Sequence, residues 1–188
     1  MSKPEDDGSA TQAGMWVFAY GSLIWNPDFP VAERALACLS GWQRSFCMRS
    51  IHHRGSVEDP GLVLALDAAP QACCNGLALR VVPGHEPATL AALRERELIS
   101  SAYLERRLPL DLADGRRVTA LAYVIDPDHV QYCRLDPETQ AQIIARAQGG
   151  RGSNRDYLFA TARHLNELGI ADAELDALAA RVAGLPTM

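Results

Sequence analysis

From Met15 to Ile125, short runs of β-branched, aromatic and aliphatic residues alternate with turn signals, the pattern expected of strands. The runs are Trp16–Tyr20, Trp42–Met48, Leu62–Leu66, Gly76–Val82, Tyr103–Leu110 and Val118–Ile125. That many short strands in one part of a small chain predict a closed or nearly closed sheet. One helix interrupts them. Pro87 suits a first helical turn, and Ala88, Ala91, Ala92, Glu95 and Leu98 follow without a breaker until Ser100-Ser101. Arg94, Arg96 and Glu97 therefore fall in its last turns.

After Ile125 the period becomes helical. Asp136-Pro137-Glu138 supplies an N-cap, a first-turn proline and an acidic first turn, with Ile143, Ile144 and Ala147 behind it and Gly149-Gly150 as the expected end. Ser153 or Asn154 can cap the next helix, which carries Leu158, Leu165 and Leu168 and stops at Gly169. Asp172 opens a last helix with Leu175, Leu178 and Val182 at helical spacing. Strands first and helices later predict an α+β fold with a C-terminal helical segment. A single domain is expected over residues 15–183, between a flexible polar leader (residues 1–14) and a tail (184–188).

Length and charge narrow the function. A chain of 188 residues can bury a core without staples. Its 18 basic against 23 acidic residues form no basic stripe, so nucleic acid is not an expected partner. No apolar run approaches the roughly eighteen residues of a membrane span, and the first residues lack a secretory pattern, so a cytoplasmic protein is expected. Five cysteines, odd in number and without C-x-x-C spacing, are expected as reduced, buried thiols.

Candidate chemistry begins where the first strand runs into Gly21-Ser22-Leu23. A glycine there permits a sharp turn, and successive exposed N–H groups can hold an anion; the same residues also suit a plain strand-ending turn. Ser22 lacks the Gly-x-Ser-x-Gly elbow of a nucleophile and reads as a binder through its amide or hydroxyl. His52-His53 diverge on a strand and have no third ligand at metal spacing, so they are expected as solvated loop residues. Glu97 alone would read as a helical glutamate paired with Arg94 or Arg106 in solvent, and Tyr103 and Tyr157 as aromatics at the edge of a core.

The full run Val17-Phe18-Ala19-Tyr20-Gly21-Ser22-Leu23-Ile24-Trp25-Asn26-Pro27 resembles the opening motif of the ChaC-like γ-glutamylcyclotransferases. The likeness continues through Trp42–Cys47, Arg54-Gly55 with Pro60-Gly61, Arg96-Glu97 with Ala102-Tyr103, and Gly152–Leu158, covering roughly Met15 to Val182. It implies a γ-glutamylcyclotransferase fold, a mixed β-barrel with flanking helices, with the site where the barrel opens beside the Tyr-Gly-Ser loop. Val17, Phe18, Ala19, Tyr20, Gly21, Ser22 and Leu23 would bind a γ-glutamyl group through backbone atoms. Glu97 rather than Glu95 would be the acid–base residue, and Tyr103 and Tyr157 would line the pocket. Where some members have a shorter spacer, this chain places two extra residues between Glu97 and Tyr103.

The resemblance implies glutathione as substrate, converted to 5-oxoproline and Cys-Gly by attack of its own α-amine on the γ-carbonyl. No metal, organic cofactor or obligate protein partner is implied. Two other readings stand beside it: a cyclotransferase for other γ-glutamyl amino acids or amines, and a non-catalytic regulator linked to cation transport.

Overall fold

The computed structural model describes residues 14–186; the expected leader, apart from Gly14, lies outside the described residues, as does the end of the tail. Five strands form the barrel: β1 (Trp16–Ala19), β2 (Val31–Ser50), β3 (Gly61–Val81), β4 (Tyr103–Leu112) and β5 (Arg117–Ile125). Their order is β1-β3-β2-β4-β5, and β1 closes the barrel by pairing in parallel with β5 through Trp16 and Val17. The architecture is the α+β fold with a closed sheet that the periodicity predicts, and the barrel with flanking helices that the resemblance implies.

The strands are fewer and longer than the sequence pattern suggests. Leu62–Leu66 and Gly76–Val82 are the two ends of β3, and β2 begins well before Trp42. The pairing of β2 with β3 shifts register between Val31 and Glu33, Ser40 and Trp42, and Ser45 and Met48. Such bulges bend and twist a strand, so two long strands wrap the barrel while their alternation of apolar and polar positions is interrupted. The middle one jumps from Ser40 opposite Cys73 to Trp42 opposite Ala68, with Gly41 between at a φ of 85° that suits glycine. Trp16, Phe18, Leu39, Leu66, Leu79 and Leu121 fill the interior.

The helices begin where their caps predict. α1 (Glu86–Glu97) has Pro87 in its first turn. α2 (Pro137–Arg146), α3 (Asn154–Glu167) and α4 (Ala173–Ala183) are capped by Asp136, Ser153 and Asp172, each side chain accepting a backbone N–H at 3.0 Å. α2 stops at Arg146 rather than at the glycines, because Gln148–Gly149 (β6) turns back to pair with Gly152–Ser153 (β7). No described helix is long and apolar enough to cross a membrane.

With Ser153 as cap, Asn154 is freed to dock α3 onto the barrel. Its buried side chain accepts the Leu62 N–H at 2.7 Å and donates to the Leu62 carbonyl at 2.7 Å, as a neighbouring strand would. Gly61 makes the approach possible: a Cβ there would stand 2.1 Å from the Arg54 carbonyl and 2.7 Å from Asn154 Oδ1.

The cysteine expectation is corrected in part. Cys47 and Cys74 are buried thiols and Cys133 is half-buried, but Cys38 and Cys73 form a disulfide between β2 and β3, with Cα atoms 5.9 Å apart. Cys38 stands opposite Asn75 and Cys73 opposite Ser40, so the pairing of β2 with β3 makes diagonal neighbours of two residues that nothing in their spacing links. The cysteines therefore no longer speak for a reducing compartment.

Asn154→Ala strands two buried backbone groups of Leu62, each costing about 1–3 kcal/mol. The variant is expected to lose about 2–4 kcal/mol in urea unfolding, and a loss below about 0.5 kcal/mol would contradict this docking role.

Candidate active site

Alternation along β1 sorts the residues of its exit. All four residues Val17–Tyr20 are buried, but only the alternate ones Phe18 and Tyr20 line the recess beneath the exit. Arg44 fixes the exit: its nearly buried guanidinium donates to the Tyr20 carbonyl at 2.7 Å and the Asn75 carbonyl at 2.6 Å, and pairs with Asp172 at 2.7 Å. A short 3-10 turn, Ser22–Ile24, follows, with the Ile24 N–H bonded to the Gly21 carbonyl at 2.9 Å. Ser22 and Leu23 precede the first such bond, so their N–H groups have no partner within the turn.

Arg96, in the last turn of α1, reaches across to this segment. It donates to Ser22 Oγ at 2.8 Å and the Asn26 carbonyl at 2.7 Å, and pairs with Asp28 at 2.8 Å. Its Nε stands 3.2 Å from Glu97 Oε1. The two non-glycine residues with left-handed φ among those described flank this junction, Asp28 at 59° and Ser101 at 57°. Ser101 turns the chain from α1 into β4, so the extra residues before Tyr103 are absorbed in a tight turn.

Glu97 is thereby turned inward, its side chain only 16% exposed, while Glu95 is exposed. Burial pushes its carboxyl above the ordinary glutamate range, and Arg96 and then Arg151 pull the other way without cancelling it. Tyr20, Tyr103 and Tyr157 surround it. Tyr20 donates to the Tyr123 carbonyl at 3.1 Å, Tyr103 donates to the Leu64 carbonyl at 2.7 Å, and Tyr157 accepts the Leu64 N–H at 3.4 Å. Burial and then neighbouring charges raise the Tyr20 and Tyr103 hydroxyls well above their usual range, and burial raises Tyr157 to about 12. These hydroxyls stay protonated and can donate hydrogen bonds at neutral pH.

Of the expected site residues, Phe18, Tyr20, Gly21, Ser22, Leu23, Glu97, Tyr103 and Tyr157 line one recess of about 40 Å³. Val17 and Ala19 do not reach it. A Cβ at Gly21 would lie 3.4 Å from the Tyr157 hydroxyl, so glycine leaves that side of the recess open. The recess adjoins a cavity of about 290 Å³ that shares Ser22, Glu97, Tyr103 and Tyr157 as walls. His52 and His53, expected in a solvated loop, line that cavity with Arg54 and Arg151. Sequence reasoning also passed over Arg44 and Arg96, although Arg96 stands in the same dipeptide as Glu97. No trio of His, Cys, Asp or Glu gathers as metal ligands among the described residues.

The ChaC-like protein family matches residues 15–185. This chain belongs to the ChaC-like family. The ChaC-like chain is 38% identical over 168 residues to the glutathione-specific γ-glutamylcyclotransferase of Escherichia coli, covering 87% of this chain and 71% of that one. It is 33% identical over 190 residues to the human glutathione-specific γ-glutamylcyclotransferase 1, covering 98% and 83%. Among solved structures, the γ-glutamylcyclotransferase specific to glutathione from yeast superposes with a TM-score of 0.82 at 22% identity, covering 91% of this chain and 96% of that one, which shows a shared fold.

In this ChaC-like protein the folded state holds the Glu97 proton more tightly than the unfolded chain does. Stability therefore falls as pH rises through the interval between the ordinary and the raised value. Glu97→Gln removes the buried charge while keeping the shape. The variant is expected to melt at a higher temperature than the parent at pH 8 and at the same temperature at pH 4, as read by circular dichroism. A variant that melts lower than the parent at pH 8 would show that the carboxylate is net stabilising.

Proposed function

We propose that this chain is a glutathione-specific γ-glutamylcyclotransferase in which Glu97 is the general base and then the general acid. The observation that carries the reading is the inward carboxyl of Glu97, set in the wall common to the recess under the β1 exit and the larger cavity. The names of the E. coli and human relatives support the choice of substrate. The reading brings with it a cytoplasmic place of action on a free tripeptide.

The γ-glutamyl end enters the recess and folds back on itself, and the rest of the tripeptide occupies the larger cavity. Its α-amino group titrates near ~8 and is largely an ammonium at neutral pH, with no lone pair to attack. Glu97 takes a proton from it. The freed amine adds to the γ-carbonyl, closing a five-membered ring, and the bond from that carbon to the cysteinyl nitrogen breaks. The carboxylic acid returns a proton to the departing nitrogen. Over the cycle the α-nitrogen gives up two protons and the leaving nitrogen gains two, so Glu97 ends as it began. The products are 5-oxoproline and Cys-Gly.

A carboxyl raised by burial is a better base than an ordinary glutamate and also a usable acid near neutrality. Holding the chain folded back makes the step intramolecular, worth roughly 7–11 kcal/mol in favourable cases. Negative charge that builds on the γ-carbonyl oxygen is met by N–H groups of Tyr20–Leu23 and by a protonated tyrosine hydroxyl. Arg44 and Arg96 hold that turn in place on its two sides.

Glu97→Gln is expected to bind glutathione with little change while 5-oxoproline release falls by about 10²–10⁴-fold. Near-parental release would remove Glu97 from the chemistry. In the parent, kcat/KM is expected to rise with pH through a value above that of a free glutamate, because the base must be ionised to act. A profile already flat from about pH 4 upward would contradict a raised carboxyl. Competition between glutathione and γ-glutamylalanine separates this reading from a general γ-glutamyl cyclotransferase.

A further inference from the structure

The larger cavity is lined by a concentration of positive charge that catalysis by Glu97 does not require. Arg54, Arg96, Arg151, His52 and His53 all face it, and Glu97 is the one carboxylate among its lining residues. The chain as a whole carries a net charge of −5. Arg96 is accounted for by Asp28, Glu97 and Ser22. Arg54 and Arg151 make no salt bridge with any described residue.

The fold presents Arg151 deliberately. It sits with Gly150 at the tip of the β6–β7 turn, and that tip is bonded to the preceding loop, Gly150 N–H to the His52 carbonyl and Arg151 N–H to the His53 carbonyl, both at 2.9 Å. The fit is close: a Cβ at Gly149 would stand 2.5 Å from the Gly55 nitrogen. Arg54 lies over the Tyr157 ring at 5.2 Å and donates to the carbonyls of Arg151 at 2.6 Å and Ser153 at 3.3 Å. Arg54 thus braces the turn from beneath. The Arg151 guanidinium has no hydrogen-bond partner among the described residues.

The charges gathered at this corner are of one sign. His53 is held below the usual imidazole range by burial first and then by Arg151, His52, Arg54 and Arg96. Ser100, in the wall next to Glu97, has a buried hydroxyl without a partner. A polar group and an unneutralised cation along one cavity suit a ligand with an amide followed by an anion.

The reading under which glutathione cyclises at Glu97 places the leaving dipeptide in this cavity. An extended dipeptide spans at most about 7 Å and ends in a carboxylate. We propose that Arg151, braced by Arg54 and flanked by His53, is the subsite for the terminal carboxylate of the leaving dipeptide. Guanidinium and carboxylate make paired, charge-assisted hydrogen bonds whose geometry is directional. A γ-glutamyl amino acid carries its carboxylate one residue short of this position. Arg151 therefore makes the chain selective for a γ-glutamyl dipeptide, an inference that rests on the cyclotransferase reading.

The test uses the Glu97→Gln chain, which holds ligand without consuming it, and calorimetric titration with glutathione and with its C-terminal carboxamide. Glutathione is expected to bind about 10- to 100-fold more tightly than the carboxamide, the range of one charge-assisted contact. Adding Arg151→Met should erase that preference by weakening glutathione alone, and Arg151→Lys should restore part of it. Arg151 is exposed and its side chain holds no other element, so both variants should keep the parental melting temperature. Equal weakening of acid and amide by Arg151→Met, or no weakening of either, overturns the assignment. If the parent releases no 5-oxoproline while the binding preference persists, the subsite stands and the cyclotransferase reading falls. If glutathione does not bind at all, both fall.

Discussion

The site depends on one guanidinium. Arg96 ties the last turn of α1 to a segment that lies 74 residues earlier at Ser22, and it does so with donors spread over a hydroxyl, a carbonyl and a carboxylate. Its bond to Asp28 is half in solvent and by itself is worth little. The convergence is what matters, because a planar fork can be satisfied in only one orientation. Glu97 shares that backbone turn, so orienting Arg96 also turns its neighbour inward. A lysine would supply the charge and lose the geometry.

What Arg96 holds in place is an unfavourable carboxyl. Glu97 lies at the C-terminal end of α1, where the helix dipole repels negative charge, and its side chain is largely shielded from water in a recess walled by tyrosines. Glu105 shows the contrast within the same chain. It receives two bonds from Arg94, at 2.8 and 2.7 Å, and that pairing holds its carboxyl below the ordinary range. Arg96 spends most of its donors on the Ser22–Asp28 segment and offers Glu97 only one edge, and Arg151 acts from a distance. A fully paired Glu97 would be a weak base. The partial compensation leaves it stable enough to fold and basic enough to use.

The residues whose roles follow from local pattern were legible in the sequence. The cap residues, the proline at the start of α1, the strand that runs into Tyr20-Gly21-Ser22, and Glu97 over Glu95 all follow from spacing or motif. Legibility ended where the chain contacts itself over long distances. Arg44 reaches Asp172 across 128 residues, and Arg54 reaches the Ser153 carbonyl across 99. Cys38 meets Cys73 only because the long pairing of β2 with β3 sets them diagonally across the ladder. Val17 and Ala19 belong to the motif yet do not line the recess, since a motif records which residues occur together and a strand sends alternate side chains to opposite faces. The histidine pair looked solvated for a related reason: nothing local shows that the β6–β7 turn will come to rest on it.

The open edge of the barrel and the chemistry of the site are one feature seen from two sides. Alternate residues of a strand send their peptide groups to opposite sides, and those of Leu62 and Leu64 point away from β2. Asn154 takes both groups of Leu62, whereas the Leu64 carbonyl accepts the Tyr103 hydroxyl and its N–H turns to Tyr157. A buried peptide group must find partners, so this edge of β3 obliges two tyrosines from β4 and α3 to converge beside Glu97. A strand laid along that edge would take the Leu64 groups and leave both hydroxyls without an anchor, which ties the open edge of the barrel to the lining of the recess.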